Sequence, residues 1–107
     1  MSNDKLEQLL KEIKAGLSML YGNQLQGVYL FGSYARGEQD AESDLDILIA
    51  LSKYGLYSAE IERTGALVSN LSLKYNVSIS RKFITASHCA TLDSALLRNV
   101  RAEAIVA

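Results

Sequence analysis

The stretch from Gly27 to Leu51 constrains the fold more than any other part of the chain. An apolar run, Gly27-Val28-Tyr29-Leu30-Phe31, stops at Gly32-Ser33, the chain turns for about ten residues, and a second run, Leu45-Asp46-Ile47-Leu48-Ile49-Ala50-Leu51, begins with acids at Asp44 and Asp46. Runs rich in β-branched and aromatic residues, bounded by turn residues, predict two strands. A short connection predicts that they pair antiparallel, which sets the end of the first beside the start of the second. Gly32-Ser33 and Asp44/Asp46 then share one rim of a sheet.

Chemistry at that rim follows from the residue types. Asp44 and Asp46 alternate on one strand, so both carboxylates leave the same face and can share one hard cation such as Mg2+. Two ionised carboxylates so placed repel, and a cation removes the conflict. Gly32 lacks a Cβ that would hold a ligand off the backbone. Ser33 adds a hydroxyl at the first free N–H groups of a short helix, a favourable place for phosphate.

Spacing excludes two neighbouring readings. Gly32 and Gly37 are separated as in a P-loop, but Glu38-Gln39 stand where Lys and Ser/Thr are needed. The run from Asp40 to Asp46 fails as a calcium loop, because Leu45 occupies the sharp-turn position and no bidentate Glu closes it. A lone Asp-x-Asp is more often an ordinary strand start facing solvent. Here Asp46 opens an unbroken apolar run, where unpaired charge is costly, and it coincides with the Gly-Ser turn.

Gly32-Ser33-Tyr34-Ala35-Arg36-Gly37 followed by Ser43-Asp44-Leu45-Asp46 resembles the signature of the nucleotidyltransferase superfamily related to DNA polymerase beta, in its short minimal nucleotidyltransferase form. The resemblance implies a small α/β (α+β) domain, about three core strands in a mixed sheet flanked by helices. It implies that Gly32 and Ser33 bind the nucleotide while Asp44 and Asp46 hold Mg2+ and carry catalysis; Arg36, by its residue type, is a further candidate for contact with the nucleotide phosphates. It further implies transfer of a nucleotidyl group from an NTP, usually ATP, to an acceptor hydroxyl. Minimal members often serve as the antitoxin of an all-helical HEPN ribonuclease toxin, some by placing AMP on a toxin tyrosine. For Arg36 the residues alone leave a second role open, pairing with Glu38, Asp40 or Glu42 to tie the loop down.

Catalytically complete members carry a third carboxylate on the third core strand, and here this chain departs from them. The candidate positions are Ser78 and Ser80, with Asn76 at the edge. A hydroxyl brings no charge to offset a second cation and is too weak a base at neutral pH. Two readings follow: an enzyme acting on a partner protein, or a catalytically weakened nucleotide-binding module that neutralises its partner by occupying it.

Around this centre, 107 residues without a composition break predict one domain over 1–107. No apolar segment is long enough for a membrane and no signal-peptide pattern opens the chain, so a cytoplasmic protein is expected. With 11 basic and 12 acidic residues, no long nucleic-acid track is visible. His88 and Cys89 give no support to a zinc site. Leu6, Leu9, Leu10, Ile13, Leu17 and Leu20 have the spacing of one helix face over residues 4–21, closed by Gly22-Asn23. Ser58 is a candidate N-cap for a helix to about Leu73, with Ile61, Leu67, Val68 and Leu71 inward. Residues 76–84 predict the third strand and 92–103 a last short helix. Apolar residues on the first and last helices would serve a core or a homo-oligomer contact equally well. Tyr54 and Tyr57 are expected to pack at a loop edge, with base stacking as the other reading.

Overall fold

In the computed structural model, which describes residues 3–32, 34, 37, 43–85 and 105–106, the leucine stripe of the N-terminal segment becomes helix α1, Asn3–Tyr21. A 3-10 turn, Gly22–Gln24, leads into strand β1, Leu25–Phe31. Gly22 has φ +56°, a left-handed conformation that a side chain would strain and that closes the helix. Strand β2 spans Leu45–Leu51, helices α2 and α3 span Tyr57–Arg63 and Gly65–Tyr75, and strand β3 spans Ile79–Thr85. The two-residue β4, Ile105–Val106, adds to the other side of β1.

The sheet order is β3-β2-β1-β4. β1 and β2 pair antiparallel, as expected for a short connection, with Phe31 opposite Asp46 and Leu30 opposite Ile47. β3 lies parallel to β2, and a parallel neighbour requires a long crossover, here supplied by α2 and α3. The sheet is therefore mixed, and the fold is α+β, with three core strands and three α-helices among the described residues.

The helices cover one sheet face. Leu9, Ile13 and Leu17 of α1 and Leu71 of α3 pack with Val28, Leu30, Leu45, Ile47, Ile49, Leu51 and Phe83 in one buried cluster. Burying each large side chain there contributes roughly 1.5–3 kcal/mol. α1 and α3 run antiparallel and approach closely at Gly16, where a Cβ would stand 2.5 Å from Leu67 Cδ1. One turn away the Tyr75 hydroxyl and Lys74 Nζ both bond the Glu12 carboxylate. A smaller cluster, Phe31 and Leu48 with Tyr29 and Ile84, lies on the opposite face.

Several expectations are corrected. The helix expected over 58–73 is two helices meeting at Thr64. The Ile61 carbonyl, which a continuous helix would offer to the Gly65 N–H, accepts instead from Arg81 Nη2 at 2.7 Å. Arg81 Nε also donates to Thr64 Oγ1 at 2.7 Å, and that hydroxyl donates to the Glu60 carbonyl at 2.9 Å. Ser58 is not the N-cap. Leu56 holds that position without a side-chain bond. Asn76 does not begin the third strand: at φ 53° and ψ 51° it is the left-handed C-cap of α3, its N–H bonded to the Ser72 carbonyl, a conformation Asn tolerates better than most residues. Leu20, expected inward, is exposed. Val68 and Leu71 are buried as expected, and Ile61 and Leu67 pack against the main cluster that holds Leu71. The last short helix at 92–103, His88 and Cys89 lie outside the described residues.

Tyr54 and Tyr57 pack edge-on against the Phe83 ring. Their hydroxyls also engage the Phe83 backbone: Tyr57 Oη accepts from its N–H at 3.2 Å and Tyr54 Oη donates to its carbonyl at 3.3 Å. Among the described strands β3 lies at the sheet edge, so these bonds occupy peptide groups that an edge strand otherwise leaves unpaired. Burial, with Tyr57 and Glu60 nearby, pushes the Tyr54 hydroxyl pKa upward. None of the described helices is long and apolar enough to cross a membrane.

Candidate functional site

The rim predicted from spacing is present at the junction of β1 and β2. β1 ends at Phe31 because Gly32 takes φ +76°, turning the chain out of the sheet. Opposite, β2 is tied at its start by the Leu45 N–H, which donates to the Ser78 carbonyl at 2.8 Å. Asp44 stands just before that strand and is exposed; Asp46, second in it, is half-buried. Residues two apart on a strand share a face. The two acids therefore project on the side away from the helices.

Gly32 lies directly against Asp46. A Cβ built on Gly32 would stand 2.5 Å from Asp46 Oδ2 and 3.4 Å from Asp46 Cγ. The sequence suggested that the missing Cβ leaves room for a ligand. In the structure the space beside the Gly32 backbone on that side is taken by the Asp46 carboxylate.

Ser80 of β3 is the cross-strand neighbour of Asp46 on the other side. Register partners point to the same face, so Ser80 occupies the third-strand position beside the acids and Ser78 lies next to the start of β2. Lys82, two residues beyond Ser80 and opposite Leu48, is exposed on that same face. Sequence reasoning passed over Lys82, although its alternation with Ser78 and Ser80 was the available signal. Phe83 and Arg81 point the other way, into the core and toward the α2–α3 junction.

Ser33, Arg36 and the acidic stretch 38–42 lie outside the described residues. Tyr34, between them, is buried in the main core. Gly37 has φ +71°, and its N–H lies 3.4 Å from the Tyr34 carbonyl, which suits a residue closing a turn.

Among the described residues no group of three or more His, Cys, Asp and Glu side chains could hold a metal by itself. Two carboxylates on one face nevertheless fit Mg2+, which keeps several waters and is commonly bound by one or two carboxylates together with substrate phosphates. They do not form a closed cage. The donor set calls for a ligand that brings oxygens of its own.

A second polar group, at the far end of α1, is architectural. Glu60, 5% exposed, accepts from the Tyr21 hydroxyl at 2.8 Å, and Arg63 Nε lies 3.3 Å from the same oxygen. The Arg63 guanidinium also sits over the Tyr21 ring, 5.9 Å from its centroid. Burial and then the Glu60 bond push the Tyr21 hydroxyl pKa well up. A cleft of about 410 Å³ beside it is lined by Gln24, Lys53, Tyr54, Gly55, Glu60 and Arg63. It opens near the C-terminal end of β2, away from the acids.

Comparison with known proteins places this geometry in context. Residues 7–100 match the family model "Polymerase beta, Nucleotidyltransferase". MJ0141 of Methanocaldococcus jannaschii, named as a candidate protein adenylyltransferase, is 40% identical over 73 residues, covering 68% of this chain and 73% of that protein. MJ1379 of the same organism, named likewise, is 35% identical over 82 residues, covering 75% of this chain and 79% of that protein. The fold matches a candidate minimal nucleotidyltransferase at TM-score 0.65 and 23% identity, covering 98% of this chain and 95% of the other. It also matches a chain of a toxin–antitoxin structure with AMP-PNP at TM-score 0.65 and 22% identity, covering 91% and 70%. A complex of a tri-AMPylated Shewanella oneidensis HEPN toxin with an MNT antitoxin gives TM-score 0.61 at 17% identity, covering 94% and 69%.

Proposed function

We propose, from the premise that the chain belongs to the polymerase beta nucleotidyltransferase family, that it transfers AMP from ATP to a hydroxyl on a partner protein. The observation that carries the reading is the register: Gly32 at the end of β1 lies against Asp46, and Asp44 shares the Asp46 face. In this reading 1–107 is one working domain. Asp44 and Asp46 hold the cation, and Ser33 and Arg36, with the turn amides after Gly32, hold the outer phosphates. Bound there, Mg2+ would neutralise triphosphate charge and polarise the α-phosphoryl group.

The acceptor oxygen attacks the α-phosphorus in line. A new P–O bond forms as the bond to the β-phosphate oxygen breaks, pyrophosphate leaves, and the acceptor proton passes to solvent. Ser80, beside Asp46, offers no carboxylate to take that proton. General-base help is worth roughly a hundred- to ten-thousandfold, so a slow transferase is expected. The names of the M. jannaschii relatives support adenylyl transfer to protein. The AMPylated HEPN toxin seen with an MNT antitoxin supports a HEPN-type toxin as the partner.

The serine at position 80 also favours a second reading, a nucleotide-binding antitoxin that acts by forming a stoichiometric complex. One assay separates the two. The chain is incubated with Mg2+, a HEPN-type toxin and ATP labelled on either the α- or the γ-phosphate. Transfer predicts α-label, and no γ-label, on a toxin hydroxyl, with inhibition that persists after this chain is removed. Inhibition without label, reversed on removal, would replace transfer by occupancy.

A further inference from the structure

We infer that Gly32 is a positioning residue for the Asp46 carboxylate: its missing side chain is the clearance that lets Asp46 reach the cation-binding position. The inference rests on the reading of Asp46 as a metal ligand and deepens it. It assigns Gly32 a task separate from cradling phosphate.

Two observations converge on Gly32. At φ +76° an L side chain is strained. The direction in which that side chain would project is also occupied, 2.5 Å from Asp46 Oδ2, closer than a real Cβ approaches another heavy atom. The atom in the way is the end of a side chain, which can rotate. Asp46 itself is anchored in β2 between Phe31 and Ser80. A methyl at position 32 would therefore be accommodated by swinging the carboxylate away while the strand stays in place. Asp44, just outside the strand, would be left facing the cation alone. Gly32 thus links the two halves of the motif, because the turn that ends β1 sets where the acid of β2 points.

The two hydrogens on the Gly32 Cα make the idea testable without activity. L-alanine puts its methyl where the carboxylate is. D-alanine suits positive φ and puts its methyl on the other side. The probe is Mn2+ alone, followed by electron paramagnetic resonance on the full chain, with circular dichroism to establish that each variant is folded. Gly32→Ala is expected to weaken Mn2+ binding about 10- to 100-fold, the range typical of lost support around a metal ligand. A synthetic chain with D-alanine at position 32 is expected to bind within about threefold of wild type. Unchanged Mn2+ affinity in Gly32→Ala, or equal loss in the L and D variants, would overturn the inference.

If folded wild type binds no Mn2+ either alone or with a non-hydrolysable ATP analogue present, the metal reading fails on its own. Thermal unfolding of Gly32→Ala, Asp46→Ala and the double variant then decides the steric claim. A smaller effect of Gly32→Ala in the Asp46→Ala background supports it, and strict additivity refutes it.

Discussion

In the helical layer Glu60 is 5% exposed and shares one carboxylate oxygen between the Tyr21 hydroxyl and the Arg63 guanidinium; across the sheet, Asp46 is half-buried and shares its face with a second acid, Asp44. The first arrangement offsets one buried negative charge with a matched cation and a donor, which is what burial demands. The second puts two like charges side by side at the rim. A group fully matched inside the protein has little left to offer a ligand, whereas clustered acids gain when a cation arrives. The nearby Arg81 follows the first pattern. Its guanidinium is spent on the Ile61 carbonyl and the Thr64 hydroxyl, and it holds α2 against α3.

The largest break in this comparison should come from Asp44→Asn/Asp46→Asn. Transfer of α-label should fall by roughly a hundred- to thousandfold, the scale of a lost electrostatic stabiliser. Stability, read by urea unfolding, should change by no more than about 1 kcal/mol. Arg81→Ala should do the reverse. It leaves the Ile61 carbonyl and Thr64 hydroxyl short of a charged donor and should cost about 2–3 kcal/mol, while folded protein keeps wild-type Mn2+ affinity. An equal loss of metal binding would mean that the two faces are coupled.

Ser80→Asp sharpens the contrast from the other side by adding a third acid beside Asp46. Mn2+ should bind more tightly and label transfer should rise about tenfold or more, within the range of general-base assistance. No gain would place the missing base elsewhere.

The smallest effect concerns the α1–α3 clasp. The Glu12 bond, with lesser contributions from burial and charge, pushes the Tyr75 hydroxyl up to about 12 from an ordinary 10.0. A group whose pKa is raised on folding stabilises fully below its unfolded value and loses that stabilisation as pH climbs through the folded one. The clasp should therefore weaken between pH 10 and about 12. Glu12 has its pKa lowered, chiefly by the Lys74 and Tyr75 bonds, so its contribution is lost as pH falls below 4.5. Tyr75→Phe should flatten the alkaline limb of a stability–pH curve, with Tyr75 followed by its phenolate absorbance.

What was legible in the sequence was periodic or steric. The α1 stripe, the β1–β2 pairing and the inward set Val68 and Leu71 follow from spacing, and all three are in the fold. The α2–α3 break was not legible. It depends on Arg81, which reaches Thr64 from 17 residues away, and local helix signals carry no trace of that. The alternation of its neighbours predicts strand at Asn76; its left-handed backbone is chosen by the end of α3. The β4 pairing of Ile105 with Leu30 is too short to carry a pattern. At the site, the placement of Gly32, Asp44 and Asp46 on one rim was legible from turn and strand alone. The identity of the group filling the Gly32 clearance was not, because it lies across the sheet. The parallel register of β3 was needed to choose Ser80 over Ser78 as the neighbour of Asp46.

The most direct measurement is a calorimetric titration of the full chain with a non-hydrolysable ATP analogue, with and without Mg2+, on wild type and Asp44→Asn/Asp46→Asn. Binding that requires Mg2+ and vanishes in the double variant or with EDTA is the predicted result. Binding that ignores Mg2+ and both substitutions, or no binding by folded wild type, would contradict the assignment of the acidic rim as a metal–nucleotide site.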